Sequence, residues 1–294
     1  MNSVCIKSYA KLNLYLRVIK KRKDRYHNIT TLFERISLYD RIKLTARKDK
    51  KVNIICDYPN LPSGKSNLAY QAAYLIRKNL SIDNGVNIEI KKRIPLASGL
   101  GGGSSNAAAV LLGLNRLWNL NLSKKKLVSF AELLGADVPF FICASAFALG
   151  SRRGDRIKAI DIKNRFWHVL VVPKLKVTTE SVYKQFDQIY RSNPLRLTNP
   201  LDDVKMLLLR LRNNNVPLIK KAIFNHLEVP AFKIYPCLQK IRNRLLKIIP
   251  KDNISMSGSG PAMFVFVSSR KEGERLCRQL GKIRHWRTFL VRTF

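Results

Sequence analysis

The chain has 294 residues, 46% of them hydrophobic and 25% charged, which excludes a disordered chain and leaves length for two domains with sizeable cores. Its formal net charge is +36 at pH 7, carried in short runs such as residues 20–23, 48–51 and 124–126 rather than in one tail. The plainest account is a solvated lysine-rich surface that retains nucleic acid only nonspecifically. No apolar run approaches the roughly 20 residues of a membrane span, and no charged-then-apolar leader opens the chain. Five scattered cysteines without a Cys-x-x-Cys pair predict reduced thiols in a cytoplasmic protein, neither a disulfide frame nor a zinc site.

In chain order, Leu12, Leu14, Leu16 and Val18 alternate with Lys11, Asn13, Tyr15 and Arg17, predicting a half-buried strand over 4–18 with Lys11 and Asn13 on one face. Residues 29–44 read as further strand. Leu68, Ala72, Leu75 and Ile76 give helical spacing over 67–80, and Val86, Ile88 and Ile90 give a strand over 86–94.

That strand runs into Pro95-Leu96-Ala97-Ser98-Gly99-Leu100-Gly101-Gly102-Gly103-Ser104-Ser105, with four glycines in five positions. Glycines let backbone N–H groups converge without Cβ interference. Ala107, Val110, Leu111, Leu114, Leu117 and Trp118 then form one helical stripe, whose start Ser104 or Ser105 can cap. A helix N-terminus behind converging amides makes a cradle for polyphosphate. The loop lacks the Gly-Lys-Ser/Thr of a Walker A motif and is denser than a dinucleotide fingerprint. On its own it also fits a turn that merely lets two segments pass closely.

A second helix presents Leu127, Phe130, Ala131 and Leu134 on one face, with Gly135 placed to end it. Asp137 precedes the apolar Val138-Pro139-Phe140-Phe141, where an N-cap is its simplest role. Residues 152–163 turn polar, and the domain boundary is placed there, dividing the chain into 1–160 and 161–294. Beyond it come a strand over 167–172, helices over 181–190, 203–211 and 236–248, and the turn Met256-Ser257-Gly258-Ser259-Gly260-Pro261 before a strand over 263–267. Helices and strands interleave without a βαβ repeat, so the fold class is α+β. His168, His226 and His285 show no metal-ligand spacing and read as structural or surface residues.

Tyr9-Ala10-Lys11-Leu12-Asn13-Leu14, Tyr26-His27, the loop 95–105, Gly135-Ala136-Asp137-Val138-Pro139-Phe140-Phe141 and Ser257-Gly258-Ser259-Gly260-Pro261 span nearly the whole chain. In this order they resemble the GHMP small-molecule kinases. The extra glycine of Gly101-Gly102-Gly103-Ser104-Ser105 and the Tyr26-His27 pair resemble, within that family, the kinases of 4-diphosphocytidyl-2-C-methyl-D-erythritol in the non-mevalonate isoprenoid pathway. The resemblance implies a two-domain α+β GHMP kinase fold: a ribosomal-protein-like N-terminal domain and a ferredoxin-like C-terminal domain. It implies transfer of phosphate from ATP, as co-substrate and with Mg²⁺, to a tertiary hydroxyl of a small cytidine diphosphate substrate, with no membrane partner. By the same resemblance Pro95, Leu96, Ala97, Ser98, Gly99, Leu100, Gly101, Gly102, Gly103, Ser104 and Ser105 embrace the ATP phosphates. Lys11 and Asp137 are the catalytic pair, and Asn13 touches the substrate. Tyr26, His27 and Tyr183 hold the cytosine between aromatic rings, and Thr179 lies near the substrate phosphates. No metal ligand and no oligomeric state are specified.

The chemistry suits these residues. A carboxylate within hydrogen-bond reach can accept the proton of an attacking hydroxyl, and an ammonium beside it can stabilise charge on the phosphoryl group or alkoxide. A solvated lysine in a surface salt bridge is the ordinary alternative. The chain departs from the family pattern in three places. Arg25 stands where glycine usually precedes Tyr-His, a strained choice if φ is positive there. Asn-Asp-Leu-Glu becomes Asn225-His226-Leu227-Glu228, and the usual Gly-x-Gly-Glu becomes Gly150-Ser151-Arg152-Arg153-Gly154-Asp155. The rival readings are a polyanion-binding protein on the same scaffold and a sister kinase for another polyol or amino-acid alcohol.

Overall fold

The computed structural model describes residues 2–59, 61–190, 200–249 and 254–294. Two long strands, β1 (Ser3–Lys21) and β2 (His27–Arg47), pair antiparallel and form the middle of a seven-stranded sheet. β4 (Gly85–Lys91) and β3 (Val52–Cys56) extend it beyond β2, and the short β8 (Phe224–Asn225) lies on the other side of β1. β5 (Phe147–Ser151) pairs with β2, and β6 (Arg156–Ile160) with β5. Helices α1 (Leu68–Leu80), α2 (Gly102–Leu117), α3 (Lys124–Leu134) and α4 (Val138–Ile142) share one core with this sheet, in which Ala72, Ile76, Val110, Leu114 and Phe130 join Leu44 and Ile88. The side chain of Asn67 caps α1 by accepting from the N–H of Ala69.

β7 (Trp167–Pro173), β9 (Ile254–Met256), β10 (Met263–Val267) and β11 (Trp286–Arg292) form a second, antiparallel sheet in the order β11-β7-β10-β9. This is the strand order of a ferredoxin-like sheet. α5 (Thr179–Tyr190), α6 (Pro200–Arg212), α7 (Val216–Ala222), α8 (Glu228–Ile234) and α9 (Pro236–Leu246) lie between β7 and β9 in the chain, and α10 (Arg270–Gly281) joins β10 to β11. The fold is α+β, and no helix among the described residues is long and apolar enough to cross a membrane.

The two sheets are stitched together. β8 comes from the second half of the sequence yet runs parallel to β1, with Tyr15 opposite Phe224 and Leu16 opposite Asn225. The final residues return to the first sheet: Phe294 donates its N–H to the Arg35 carbonyl and stacks on Tyr9. Between the sheets Leu12 and Leu14 pack with Phe264 and Phe266.

Several local expectations change. β1 is not half-buried: residues 10–18 are buried on both faces. Its leucines enter the inter-sheet core, and its polar face is roofed by the loops of the site. The polar stretch after residue 152 contains β6, a peripheral strand paired only with β5 and too exposed to show an apolar period. The strand expected over 86–94 ends at Lys91, before the glycine loop. α2 starts at Gly102 with Gly101 as its cap residue, so neither Ser104 nor Ser105 caps it. Gly135 does end α3, with its N–H on the Ala131 carbonyl, but in extended rather than left-handed backbone.

Candidate active site

The glycine loop is folded around three left-handed positions, Ala97 at φ +48°, Gly99 at φ +78° and Gly101 at φ +71°. A Cβ on Gly99 would sit 2.2 Å from the Ser257 carbonyl oxygen, and one on Gly101 would sit 3.0 Å from both Lys11 Cγ and Phe141 Cζ. Both glycines are therefore required by close approach as well as by φ. The loop is clasped from two sides. The N–H of Lys11 donates to the Leu100 carbonyl and that of Ala262 to the Ser98 carbonyl, while Ser257 Oγ donates to the Gly99 carbonyl.

The loop opens onto a cleft of about 1090 Å³ that runs past β1 to α5. Pro95, Leu96, Ala97, Ser98, Gly99, Gly101, Gly102, Gly103 and Ser104 line it. Gly102, Gly103 and Ser104 form the first turn of α2, whose N–H groups have no intrahelical acceptor. The side chains of Leu100 and Ser105 turn inward. Leu100 joins the inter-sheet core, and Ser105 Oγ accepts from buried Ser8 Oγ at 2.7 Å.

β1 carries Lys11 and Asn13 into the same cleft. Lys11 is only 3% exposed, which rules out a solvated strand lysine. Its Nζ donates to Asn13 Oδ1 at 2.5 Å and lies 3.4 Å from Asp137 Oδ2. The Asn13 amide is held at its other end by donation to Thr31 Oγ1, which itself donates to the Tyr15 carbonyl. Asp137 occupies the residue before α4 but makes no side-chain cap bond; its carboxylate, about one-third exposed, faces Lys11 and the cleft. The second glycine turn closes the other side, where a Cβ on Gly258 would lie 3.2 Å from Asn13 Oδ1 and 3.4 Å from Lys11 Nζ.

At the far end the His27 imidazole stacks on Tyr183, with centroids 4.8 Å apart and planes at 26°. Burial, and after it the negative charge of Asp137, push the Tyr183 phenol above its ordinary pKa. Thr179 begins α5 one turn earlier, its Oγ1 2.9 Å from Ser259 Oγ, and both residues line the cleft. Tyr26 also lines it but stands outside the His27–Tyr183 stack, half exposed, with the Arg153 guanidinium over its ring at 5.0 Å. Arg25 adopts φ +66°, so the turn before Tyr26 does carry the left-handed residue that glycine would serve better.

Asp187 and Lys92 join the site without a signal in the sequence. Asp187 accepts from His27 Nε2 at 2.6 Å and pairs with Lys21 at 2.6 Å. Burial raises the Asp187 pKa, but the hydrogen bonds from Lys21 and His27 outweigh it and hold the carboxyl below its usual value. Lys92 lines the glycine-loop end of the cleft, pinned by buried Asp40, which also accepts from the N–H groups of Arg93 and Ile94 just before the loop. Asn225 donates its amide to the carbonyls of Met256 and Gly258, and Glu228 accepts from the N–H of Met256. The altered Asn-His-Leu-Glu motif thus braces the second glycine turn, while His226 Nδ1 accepts from the N–H of Val18 on β1.

Known proteins resemble this chain in sequence and fold. The model of the GHMP kinases N terminal domain matches residues 67–145, and that of the GHMP kinases C terminal domain matches residues 207–283. The 4-diphosphocytidyl-2-C-methyl-D-erythritol kinase of Alkaliphilus metalliredigens is 37% identical over 90% of this chain and 88% of its own. The protein of that name from Acetivibrio thermocellus is 34% identical over the full length of both. A crystal structure of 4-(cytidine 5'-diphospho)-2C-methyl-D-erythritol kinase superposes with a TM-score of 0.78 at 31% identity, covering 99% of this chain and all of that one. A crystal structure of L. major mevalonate kinase in complex with R-mevalonate reaches the same TM-score at 15% identity over 99% of this chain and 97% of its own, a likeness of fold alone. A loop of left-handed glycines, a lysine–aspartate pair beside it and full-length relatives of one name lead to one conclusion: the chain belongs to the GHMP kinases, in the 4-diphosphocytidyl-2-C-methyl-D-erythritol kinase family.

Proposed function

We propose that the protein transfers the terminal phosphoryl group of ATP to the tertiary hydroxyl of 4-diphosphocytidyl-2-C-methyl-D-erythritol, a step of non-mevalonate isoprenoid precursor synthesis. The observation that carries this reading is a single cleft holding the glycine loop, the Lys11–Asp137 pair and the His27–Tyr183 stack in succession. Phosphoryl transfer asks a protein mainly to position two substrates and neutralise charge. The loop from Pro95 to Ser104, with the first turn of α2, supplies amide donors and a positive helix end for the nucleotide phosphates. Leu100 and Ser105 support that loop from behind.

Asp137 accepts the proton of the attacking hydroxyl, and Lys11 stabilises the charge that develops on the transferred group and on the oxygen that attacks it. Asn13 holds the Lys11 ammonium in place, since its own amide is fixed by Thr31. Among the described residues no cluster of three His, Cys, Asp or Glu groups forms a metal site, so Mg²⁺ would be held mainly by the substrate phosphates, with the Ser104 hydroxyl beside the loop as an oxygen ligand from the protein. It would supply neutralisation of phosphate charge. His27 and Tyr183 present flat aromatic faces, and His27 a ring nitrogen, suited to a pyrimidine, and Thr179 and Ser259 offer hydroxyls for the diphosphate that joins base to polyol.

The test is an ADP-release assay with ATP and Mg²⁺ over four acceptors: the cytidyl methylerythritol, mevalonate, homoserine and galactose. Release that depends on the cytidine compound alone is expected. Turnover with another acceptor at equal or greater kcat/KM would replace this reading with a sister kinase.

A further inference from the structure

Tyr26 is the weakly held member of the base-binding end. It sits on the turn between β1 and β2, 53% exposed, and makes no ring-to-ring contact with another aromatic residue among the described residues. The backbone around it is well tied: Arg22 donates its N–H to the Tyr26 carbonyl, and Asp24, gripped by the Arg22 guanidinium, accepts from the Tyr26 N–H. Among the described residues one cation lies over the ring. Arg153, on the turn between β5 and β6, places its guanidinium 5.0 Å from the ring centroid.

Arg153 is itself anchored. Its Nε donates to Asp155 Oδ2 at 2.7 Å, and Asp155 is 4% exposed. The turn is shaped by two left-handed residues, Arg152 at φ +59° and Gly154 at φ +97°, so the guanidinium is delivered to a set position. A cation held over an aromatic face attracts it through the ring quadrupole. An exposed tyrosine that must order on binding loses rotamer freedom, and prior ordering removes that cost.

We propose that Arg153 is a positioning residue for base recognition: fixed by Asp155, it holds the Tyr26 ring at the cleft mouth ready to face the pyrimidine, without touching substrate itself. This rests on the kinase reading given above. The double cycle of Arg153→Gln and Tyr26→Ala tests it, because glutamine keeps a hydrogen-bond donor for Asp155 and removes the cation. KM for the cytidine substrate, KM for ATP and kcat are measured for the wild type, both single variants, the double variant and Arg153→Lys.

In the wild-type background Arg153→Gln is expected to raise KM for the cytidine substrate by about three- to tenfold, with kcat and the ATP KM unchanged. Arg153→Lys, which keeps the cation, should recover part of the loss. In the Tyr26→Ala background the same change should alter KM by less than about twofold, because no ring remains to be held. An equal loss in both backgrounds overturns the proposal, since Arg153 then acts on substrate directly or on the fold. So does no loss in the wild-type background, or an equal rise in the ATP KM. Failure of the wild type to phosphorylate the cytidine compound would instead strike the kinase reading.

Discussion

Asp137→Asn separates chemistry from architecture in this site. The substitution is nearly isosteric, and the native carboxylate makes no cap bond to α4, so the local fold has little to lose. The ion pair with Lys11 spans 3.4 Å. At an effective dielectric near 20 that separation corresponds to roughly 5 kcal/mol of bare attraction. With the carboxylate one-third exposed, solvent screening reduces its contribution to stability to about 1 kcal/mol or less. Removing a positioned general base costs about 10²–10⁴ in rate, which is roughly 3–5 kcal/mol of barrier. The expected outcome is therefore a kcat at least 100-fold lower, KM values for ATP and acceptor within about threefold, and an unfolding midpoint in urea close to the wild type. Saturating ADP-release kinetics with a parallel urea titration provides both readouts. A kcat within tenfold of the wild type would mean that the hydroxyl proton leaves by another route. A collapse of stability would mean that the carboxylate is structural.

Three further substitutions probe what surrounds the pair. Gly99→Ala forces a Cβ to 2.2 Å from the Ser257 carbonyl at a left-handed φ, and a loss of about 2–5 kcal/mol is expected in urea unfolding; a loss below 1 kcal/mol would show that the two glycine turns need not touch. Arg25→Gly relieves a left-handed arginine at φ +66°. The relief of roughly 1–2 kcal/mol is partly offset by glycine's unfolded-state entropy, leaving a net gain of about 1 kcal/mol or less, and a less stable variant would contradict it. His226→Asn tests linkage to pH. Burial, aided by the charge of Arg17, holds the His226 imidazole down at about 4 in the fold, against an unfolded value of 6.5. A depressed histidine pKa stabilises the fold fully above pH 6.5 and loses that contribution as pH falls from 6.5 toward 4. The wild type should lose about 2–3 kcal/mol more than His226→Asn across that window; parallel urea profiles for the two proteins would contradict the assignment.

Much of this site was legible because its parts recur as local patterns. Alternation along β1 put Lys11 and Asn13 on one face, and dense glycine before an apolar helical stripe marked the loop. What stayed hidden depends on contacts between distant segments. His27 and Asp187 are 160 positions apart, and nothing in the intervening sequence announces their bond. Arg153 reaches Tyr26 from a turn whose sequence gives only charge. Ser105 misled for a geometric reason: a helix turns about 100° per residue, so its neighbour Ser104 faces the cleft while Ser105 is rotated inward onto Ser8. Asp137 misled in the opposite sense, because it occupies a cap position without acting as a cap. β6 and β8 escaped because a peripheral strand and a two-residue strand carry no hydrophobic period.

Asn225 belongs to the first sheet through its backbone and grips the second glycine turn through its amide. Floor and rear wall of the cleft therefore share a rivet, and prying them apart would break sheet pairing and two amide bonds together. The open side of the cleft is then its rim, where half-exposed Tyr26 sits under Arg153 and Lys21 pairs with Asp187.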